Sequence, residues 1–403
     1  MKPATHLSLL LIVLQVHNGH GGKDPIQEKL ASSIVDFAFK FSKHVTSHQG
    51  AKNILFSPVS ISMAFSALGL GAKSKTQNQI YSGLGLTTID TSKIHAGFQE
   101  LLKVLTSSKK AGKVNLGNVL YLTKGIKIAT KYNKDLQNFY KSEIFAVDFK
   151  DNVVAEKQIN DYVKKKTRGK ITKMVKNLAQ DTSMFLGNYV YFKDNWENPF
   201  EARFTWEEPF FVDEKTTLKV KMMRKTETVN YLHDEHLSCW LVELPYRGGA
   251  VAWFVLPDKG KLKTVEDALG QNTLARWKTT LQQGEISLHL PKFLMSTSYD
   301  LKDLLSRMGI TEVFTNKADL SGITGTGSRN LMVSTASHKA VLDVNERGTE
   351  AAAVSFGSQV TGASPNAPRP VLLKFDRPFF LFIWAPDDGV MLFMGKIVNP
   401  LQA

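Results

Sequence analysis

Four consecutive polar residues, His233, Asp234, Glu235 and His236, carry side chains of the kinds that bind metal ions. A helical zinc site needs its two histidines spaced as in HExxH, and the sequence HDEH lacks that spacing. The four residues come just before the strand pattern CWLVEL, which is typical of a polar surface loop. The sequence therefore predicts no metal site here, and no motif in it indicates a cofactor.

The remaining groups that could do chemistry are the single thiol, Cys239, and the glycine-rich stretch 322–327. Cys239 lies in an apolar strand pattern, so we predict a buried structural thiol, and one cysteine excludes an internal disulfide. The stretch GITGTG lacks the lysine and the spacing of a phosphate-binding loop and is interpreted as turn structure. Neither GxSxG nor CxxC occurs, so the sequence does not indicate an enzyme.

Residues 346–375 form the stretch around which the chain is organised, and they follow an apolar strand pattern at 341–344. A run of about 25 residues without a clear element is rare in a compact domain and is usually functional or disordered. The first half has no proline and alternates with period two, so that one face carries only small residues. These are Thr349, Ala351, Ala353, Ser355 and Gly357. We interpret the segment as a strand held out of a sheet.

Several motifs around this stretch carry a resemblance to a known family. The hinge ERGTEAAA is preceded by HKAVLDV and followed by LKFDRPF and FMGKIVNP. Further motifs stand in the same order at Phe56–Thr76, Asn188–Phe200 and Ser287–Phe293. Together they resemble the serpins over nearly the whole chain, and most closely the secreted branch that holds alpha-1-antitrypsin, alpha-1-antichymotrypsin and kallistatin.

This resemblance implies an α+β serpin fold, with a large mixed main sheet, smaller sheets, helices packed around them and an exposed reactive loop. It implies a single domain over residues 25–403, with the reactive loop at 346–375. The function it implies is inhibition of serine proteases by suicide insertion of the cleaved loop as a new strand. Insertion would begin at the hinge, which consists of Glu346, Arg347, Gly348, Thr349, Glu350, Ala351, Ala352 and Ala353.

The family pattern also implies where the reactive bond and the supporting residues lie. Cleavage follows the seventeenth residue counted from the hinge glutamate, which is the bond between Gly362 and Ala363. A polar cluster through which the main sheet opens would consist of Ser57, Ser60, Asn188 and His338. At the top of the sheet Glu346 would pair with Lys292 near Trp196. Read without the family, Ser57 is a helix cap and His338 a core histidine with satisfied hydrogen bonds.

The sequence alone does not identify the target protease or decide between an inhibitor and a carrier. A glycine or threonine before the reactive bond suits only a protease with a shallow pocket, such as an elastase-like enzyme, and a chymotrypsin-like target is the alternative. Arg369 would attract trypsin-like enzymes, but Pro370 follows it. Because the specificity residue Gly362 offers little binding energy, the alternative is a non-inhibitory carrier of a small hydrophobic hormone. Carriers of that kind occur in the same branch.

A basic segment, KKKTRGKITKMVK, follows a predicted amphipathic helix at 155–163. Such a run is most often a solvated face, which is the interpretation we favour, and binding of heparin or another polyanion is the alternative that the net charge of +14 supports. The residues concerned are Lys164, Lys165, Lys166, Arg168 and Lys170, with a second basic spot at Arg276 and Lys278. Aromatic residues follow strand and helix periods and indicate no platform for nucleic acid.

The start of the chain indicates export. Residues 7–16 are apolar, follow Lys2 and are too few to span a bilayer, which is typical of the core of a secretory signal. We predict a signal and a short mature tail within residues 1–24, a secreted extracellular protein without membrane binding, and a monomer.

Local patterns also predict the elements that hold the loop. Ser57 followed by Pro58 indicates a helix start, and Ser298 with Gly309 would bound a helix over 299–308. Two strand hairpins are predicted, at 240–244 with 251–256 and at 379–384 with 390–393. Helices dominate the first half and strands the second, which is typical of an α+β protein.

Overall fold

A computed structural model describes residues 24–50, 52–106, 113–325, 331–349, 369–385 and 389–402 of the 403-residue chain. Ten α-helices lie in these ranges: α1 Pro25–Gln49, α2 Pro58–Gly69, α3 Ser74–Gly83, α4 Thr91–Thr106, α5 Thr130–Tyr140, α6 Asn152–Lys166, α7 Leu262–Ala268, α8 Gln271–Thr280, α9 Leu301–Arg307 and α10 Ser321–Thr324. Most of the long helices precede residue 170 and most strands follow it, as the sequence predicted.

Fifteen strands lie in the described part of the chain: β1 Ile54–Phe56, β2 Lys113–Thr123, β3 Glu143–Val147, β4 Met184–Asn195, β5 Trp206–Phe211, β6 Thr217–Asp234, β7 Cys239–Pro245, β8 Val251–Pro257, β9 Gln282–Pro291, β10 Phe293–Asp300, β11 Thr335–Asn345, β12 Gly348–Thr349, β13 Val371–Lys374, β14 Phe379–Ala385 and β15 Val390–Ile397. They form one sheet of nine strands and one of six, and both sheets are mixed. The predicted α+β class is confirmed.

The six-stranded sheet has the order β10, β11, β12, β4, β2, β3. Over most of its length β11 pairs directly with β4 in parallel, from Thr335 opposite Phe185 to Val341 opposite Tyr191. Above that point the two strands separate, and the short strand β12 lies between them, antiparallel to both. The seam between β4 and β11 is therefore closed where the two strands pair directly, up to Val341, and open beyond it, where β12 separates them. We call this open end the top of the sheet.

The nine-stranded sheet contains both predicted hairpins. β7 pairs with β8, β14 pairs with β15, and β14 also pairs with β8, so the two hairpins are neighbours. Nearly every residue of β14 and all of β15 are buried. β13 pairs in parallel with β9 at the opposite edge of this sheet, so the last residues of the predicted loop 346–375 belong to a strand.

Helix α2 is the element that joins the two sheets, because it packs against β4 of one and β15 of the other. Ser57 caps it as predicted, its side chain accepting a hydrogen bond from Ser60 N at 3.3 Å, and Pro58 is the first helical residue. All twelve helical residues are buried. Half of its residues are Ser, Ala or Gly, and these small side chains let both sheets approach the helix closely.

Two local predictions are corrected by the structure. The helix predicted over 299–308 begins at Leu301, because β10 continues to Asp300 and the Asp300 side chain, not Ser298, accepts the capping hydrogen bond from Lys302 N. The residues HDEH are not all in a surface loop: His233 and Asp234 end β6, and Asp234 is buried. The burial of Cys239, predicted from its strand pattern, is confirmed, and burial raises the pKa of its thiol to about 12.

Candidate functional site

The hinge begins inside the six-stranded sheet. In β12, Gly348 pairs with Asn345 on one side and Asn195 on the other, and Thr349 pairs with Val344 and Asp194. The prediction of a strand held wholly out of the sheet is therefore wrong for these first two residues. The other predicted hinge residues, Glu350, Ala351, Ala352 and Ala353, and the reactive bond Gly362–Ala363 lie outside the described residues.

Glycine is required at position 348 for two reasons. Its φ of +141° is a backbone conformation that residues with a side chain rarely adopt. A Cβ atom added there would also lie 2.2 Å from the carbonyl oxygen of Asp194, which belongs to the neighbouring strand. The glycine thus allows the chain to turn from Arg347 into the seam with no side chain in the way.

Thr349 is fully buried in the six-stranded sheet, with 0% exposure. Its hydroxyl oxygen lies 3.0 Å from the Tyr246 hydroxyl, and the two groups hydrogen-bond in a fully buried position. The Tyr246 ring stacks on Trp196 at 4.2 Å between centroids. Burial raises the pKa of Tyr246 well above its ordinary value, so its hydroxyl is neutral and can donate. Sequence reasoning missed Tyr246, which lies in the turn PYRGG far along the chain.

Trp196 holds the turn that leads into β12. Its indole Nε1 donates to Asn345 O at 2.9 Å, and its backbone N donates to Arg347 O at 2.8 Å. Phe200 N donates to Glu346 O at 2.7 Å. Three successive carbonyls of the turn are thereby bound by one segment, residues 196–200, and the hinge leaves β11 along a defined path.

Glu346 and Lys292 are brought together as the family pattern implied. Lys292 Nζ lies 2.9 Å from Glu346 Oε2, and the glutamate side chain is largely buried while the lysine is about half exposed. Burial alone would raise the pKa of Glu346, but the hydrogen bond and charge of Lys292 outweigh burial and lower it. The ion pair joins the start of β10 to the hinge turn. Its role in holding the top of the sheet stays a prediction.

Reversing this pair provides a test of that role. Glu346→Lys is expected to place two ammonium groups together, loosen the top of the sheet by about 1 kcal/mol or more, and increase polymer formation on mild heating. The double variant Glu346→Lys with Lys292→Glu restores an ion pair of opposite orientation and should return polymerisation towards the wild-type rate. Size-exclusion chromatography after heating measures both. A single variant that stays monomeric with unchanged Tm would contradict the assigned role.

The four residues of the predicted polar cluster meet at the seam between β4 and β11, above α2. Asn188 Nδ2 donates to Ser60 Oγ at 2.7 Å and to Ser60 O at 3.1 Å. His338 Nε2 accepts from Ser57 N at 3.1 Å, which leaves Nδ1 to donate to Asn188 Oδ1. Asn188 and His338 are directly opposite in the parallel pairing, so a strand entering the seam must separate them.

Asn118 is a member of this cluster that sequence reasoning missed. Its Oδ1 accepts from Asn188 Nδ2 at 2.5 Å, and it lies opposite Asn188 in the pairing of β2 with β4. A buried amide in the otherwise apolar stretch NVLYL was the signal available in the sequence. With Asn118 included, the cluster links three strands of the sheet to α2.

The buried imidazole of His338 makes the cluster sensitive to acid. Burial lowers the pKa of His338 to about 3, below its ordinary value near 6.5. The unfolded chain therefore binds the proton more tightly than the folded one, so this contribution to stability is complete above pH 6.5 and falls as the pH drops towards 3. At pH 4 the loss is on the order of 3 kcal/mol.

Replacing His338 by Gln is the matching variant, because an amide can bond to Ser57 and Asn188 without titrating. We expect the wild-type Tm to fall more steeply than that of His338→Gln between pH 6.5 and 4, measured by circular dichroism. The other histidine with a strongly lowered pKa, His95 at about 4, is present in both proteins and cancels in the comparison. Equal slopes would show that His338 is not the acid-sensitive group.

The two basic spots differ in their surroundings. Lys164, Lys165, Lys166, Arg168 and Lys170 are all exposed, at the end of α6 and just beyond it. Arg276 is also exposed, but its charge is paired: its Nη2 lies 2.6 Å from the buried Asp234 Oδ2, which also accepts from Trp277 Nε1 at 2.7 Å. Burial alone would raise the pKa of Asp234, but the hydrogen bond and charge of Arg276 help to outweigh burial and lower that pKa. Arg276 is thus an anchor of α8, and Lys278 beside it lines a pocket.

That pocket lies between α1, α8 and the strands β7, β8 and β14, with a volume of about 330 Å³. Its apolar walls include Val35, Leu274 and the side chains of Trp253 and Trp384. Polar groups on its lining come from Gln271, Glu243, Ser32 and Lys278. The Trp384 indole Nε1 is buried and has no hydrogen-bond partner among the described residues. An apolar pocket with a few polar groups is suited to a small amphipathic ligand.

No group of three or more potential metal ligands occurs in the described ranges. Over the same ranges the structure has no helix of the length and apolar character needed to cross a membrane.

Comparison with known proteins places these features in a family. The family model described as "Serpin (serine protease inhibitor)" matches residues 32–400. Alpha-1-antiproteinase 2 of Equus caballus is 43% identical over 388 residues, which cover 96% of this chain and 90% of the relative. Alpha-1-antichymotrypsin of Homo sapiens is 44% identical over 378 residues, covering 93% of this chain and 89% of the relative.

A solved structure extends the comparison to a protein of another kind. The crystal structure of human thyroxine-binding globulin, solved in complex with its hormone, superimposes with a TM-score of 0.87 at 37% identity. The match covers 94% of this chain and all of the other. Relatives named as protease inhibitors and a relative named as a hormone-binding protein therefore share this fold.

Proposed function

Because the chain belongs to the serpin family, we propose that it is a secreted inhibitor of serine proteases that traps its target by inserting its cleaved loop. In this proposal residues 25–403 form one domain after removal of a signal within residues 1–24. The reactive loop lies within residues 346–375, and the bond between Gly362 and Ala363 is cleaved. The target is a serine protease with an elastase-like or chymotrypsin-like pocket, and the inhibitor itself is not an enzyme.

One observation supports insertion more than any other: Gly348 and Thr349 already occupy the top of the seam between β4 and β11. The pairing of these two residues supports insertion of the following residues in the same direction, antiparallel to both neighbours. The alternating small residues after Thr349 would then fall on the face that Thr349 buries, and none of them carries a charge.

The chemistry belongs to the protease, and the inhibitor contributes the substrate bond and the strand. The serine hydroxyl adds to the carbonyl carbon of Gly362, the amide bond to Ala363 breaks, and the Ala363 nitrogen takes the proton released by the hydroxyl. An ester then joins Gly362 to the protease. Insertion of residues 350–362 carries the esterified protease along the sheet and distorts it before water can hydrolyse the ester.

The test is formation of a covalent complex. We expect incubation with an elastase-like or chymotrypsin-like protease to give an SDS-stable complex and, once the protein is denatured, a separate C-terminal fragment that begins at Ala363. Ala363→Pro is the matched control, since proline after the scissile bond should block cleavage there while leaving the fold unchanged. Cleavage at Gly362 with no complex from any such protease would overturn the inhibitor proposal.

The pocket between α1 and α8 supports a second candidate, a carrier of a small hydrophobic hormone. Its volume of about 330 Å³ lies at the lower end of the range for ligand pockets. The unpartnered Trp384 Nε1 could donate to a ligand, and Lys278 could face a ligand carboxylate. Titration with thyroxine and with a steroid, followed by tryptophan fluorescence, tests this. Tight binding that Lys278→Ala weakens, with no covalent protease complex, would favour the carrier.

A sulfated polysaccharide such as heparin is proposed as an additional partner under either function. The exposed cations beyond α6 support this more strongly than the second spot, because Arg276 is bound to Asp234.

A further inference from the structure

The basic segment beyond α6 folds back along the helix it follows. Arg168 and Gly169 both have positive φ angles, of 51° and 81°, and reverse the chain direction directly after α6. Thr167 secures the turn: its Oγ1 donates to Val163 O at 2.8 Å and accepts from Ile171 N at 3.0 Å. We call residues 167–178 the strap.

Side chains of α6 bind the strap at intervals along its length. Asn160 Oδ1 accepts from Met174 N at 2.6 Å and from Val175 N at 3.0 Å. One helical turn earlier, Glu156 Oε1 accepts from Leu178 N at 2.7 Å. The strap therefore runs antiparallel to α6, with its backbone hydrogen-bonded to the helix.

This folding collects the positive charge on one surface. Residues 164–176 contain seven cationic residues and no carboxylate, and all seven side chains are exposed. They form the ridge, which consists of Lys164, Lys165, Lys166, Arg168, Lys170, Lys173 and Lys176. Among the nearby lysines, Lys166 pairs with Glu143 and Lys157 pairs with Asp161, and Lys170 also has an interaction partner. The excess charge is large and local, so the ridge attracts polyanions.

Beneath the ridge, α6 and the strap cover the seam that a new strand must enter. Ile159, Val163, Ile171, Met174 and Val175 are buried in one apolar cluster with residues of the six-stranded sheet. The sheet residues in this cluster include Tyr189 and Tyr191 of β4 and Val341 of β11, which flank the seam.

Lys339 of β11 ties the strap to the seam directly. Its Nζ donates to Lys173 O at 2.8 Å, in a half-buried position. Its partner across the seam is Tyr189 of β4. A strand added between β4 and β11 would move them apart by about 4.8 Å, since that is the spacing of neighbouring strands. Insertion must therefore shift the strap or break its contacts on one side of the seam.

We propose that the ridge binds a linear sulfated polysaccharide, and that this ligand slows strand insertion by holding the strap and α6 closed over the seam. The coupling rests on the proposed function, because it governs the insertion step. Sulfate groups that bridge cations of α6 and of the strap bind more tightly when both elements cover the seam than when insertion has shifted the strap. A ligand that binds one state only favours that state by a factor of about 100 at a concentration 100 times its Kd.

A sulfated polysaccharide fits this surface better than a nucleic acid does. Single-stranded nucleic acids are bound by cations together with aromatic side chains on which bases stack. Residues 157–176 contain one aromatic residue, Tyr162, and its ring is half-buried beneath Lys166, whose Nζ lies 5.3 Å from the ring centroid. The ridge offers charge without a stacking surface.

The experiment uses the full-length mature protein, a heparin octasaccharide, and a fluorescent peptide with the sequence of residues 350–361. Binding of the octasaccharide is measured by calorimetry, and entry of the peptide into the sheet by anisotropy. The ridge variant carries Lys165→Gln, Lys170→Gln and Lys173→Gln. The control variant carries Lys215→Gln, Lys261→Gln and Lys317→Gln, which remove the same charge from exposed positions on other elements.

We expect the octasaccharide to bind the wild-type and control proteins and to slow peptide entry about tenfold or more in both. The ridge variant should bind at least about tenfold more weakly and take up the peptide at one rate with or without the octasaccharide. Equal binding by the ridge and control variants would overturn the site, and tight binding that leaves peptide entry unchanged would overturn the coupling. Equal competition by an oligothymidylate of the same charge would overturn the assignment to a sulfated polysaccharide.

The same experiment distinguishes failure of the proposed insertion mechanism from failure of the polysaccharide coupling. If the peptide does not enter the sheet even without octasaccharide, the insertion mechanism is overturned and the coupling with it. The binding comparison between the ridge and control variants still decides whether the ridge is a polysaccharide site.

Discussion

Cleavage of the loop at Gly362 is expected to raise the Tm of the protein by about 10 °C or more, which in a chain of this size corresponds to about 8 kcal/mol. Nicking an exposed loop of an ordinary domain is neutral or destabilising. Here the freed strand can exchange the one parallel ladder between β4 and β11 for two antiparallel ladders, in the orientation that β12 already has. The small side chains after Thr349 leave no buried charge behind.

Disruption of the polar cluster at the seam would reduce this rise in Tm. Insertion separates His338 from Asn188, so their hydrogen bonds must be replaced by bonds to the new strand. Limited proteolysis followed by thermal unfolding of intact and cleaved protein measures the sum, and mass spectrometry of the new N-terminus locates the cut. An unchanged Tm after cleavage at Gly362 would contradict insertion. A rise with the cut elsewhere would keep insertion and move the reactive bond.

The Thr349→Arg variant is expected to lose inhibition and to be cleaved as a substrate. Thr349 is fully buried between β4 and β11, and its hydroxyl bonds to Tyr246. An arginine there would leave a guanidinium buried beside a neutral tyrosine, at a cost of several kcal/mol when unpaired. We expect the variant to expel β12 from the seam in the intact protein and to prevent insertion after cleavage.

Two controls separate charge from shape in this prediction. Thr349→Ser keeps the hydroxyl that bonds to Tyr246 and should retain most of the inhibition, measured as SDS-stable complex per mole of protease. Thr349→Val keeps the shape but leaves the Tyr246 hydroxyl without its partner, so a smaller loss of about 1–3 kcal/mol in stability is expected. Cleaved Thr349→Arg should also show no rise in Tm. Wild-type complex formation by the arginine variant would refute burial of this position during inhibition.

The sequence by itself determined the features that depend on local pattern. Period-two alternation after Thr349, the cap formed by Ser57 and the run of cations at 164–176 are properties of neighbouring residues, so they can be read without a fold. The two hairpins were predicted for the same reason, because a turn and its flanking strands lie together in the chain. Family motifs added the pair of Glu346 with Lys292 and the cluster around His338, both of which join segments more than 50 residues apart.

Only the tertiary structure decided which distant groups meet. It showed that Gly348 and Thr349 already lie in the seam, since strand pairing depends on β4, some 150 residues earlier. It showed that the exposed Arg276 pairs with the buried Asp234, which offsets part of the positive charge at that spot. It also showed that the strap lies back along α6 and over the seam. Each outcome depends on burial and on hydrogen bonds between remote segments, and local periodicity carries no information about either.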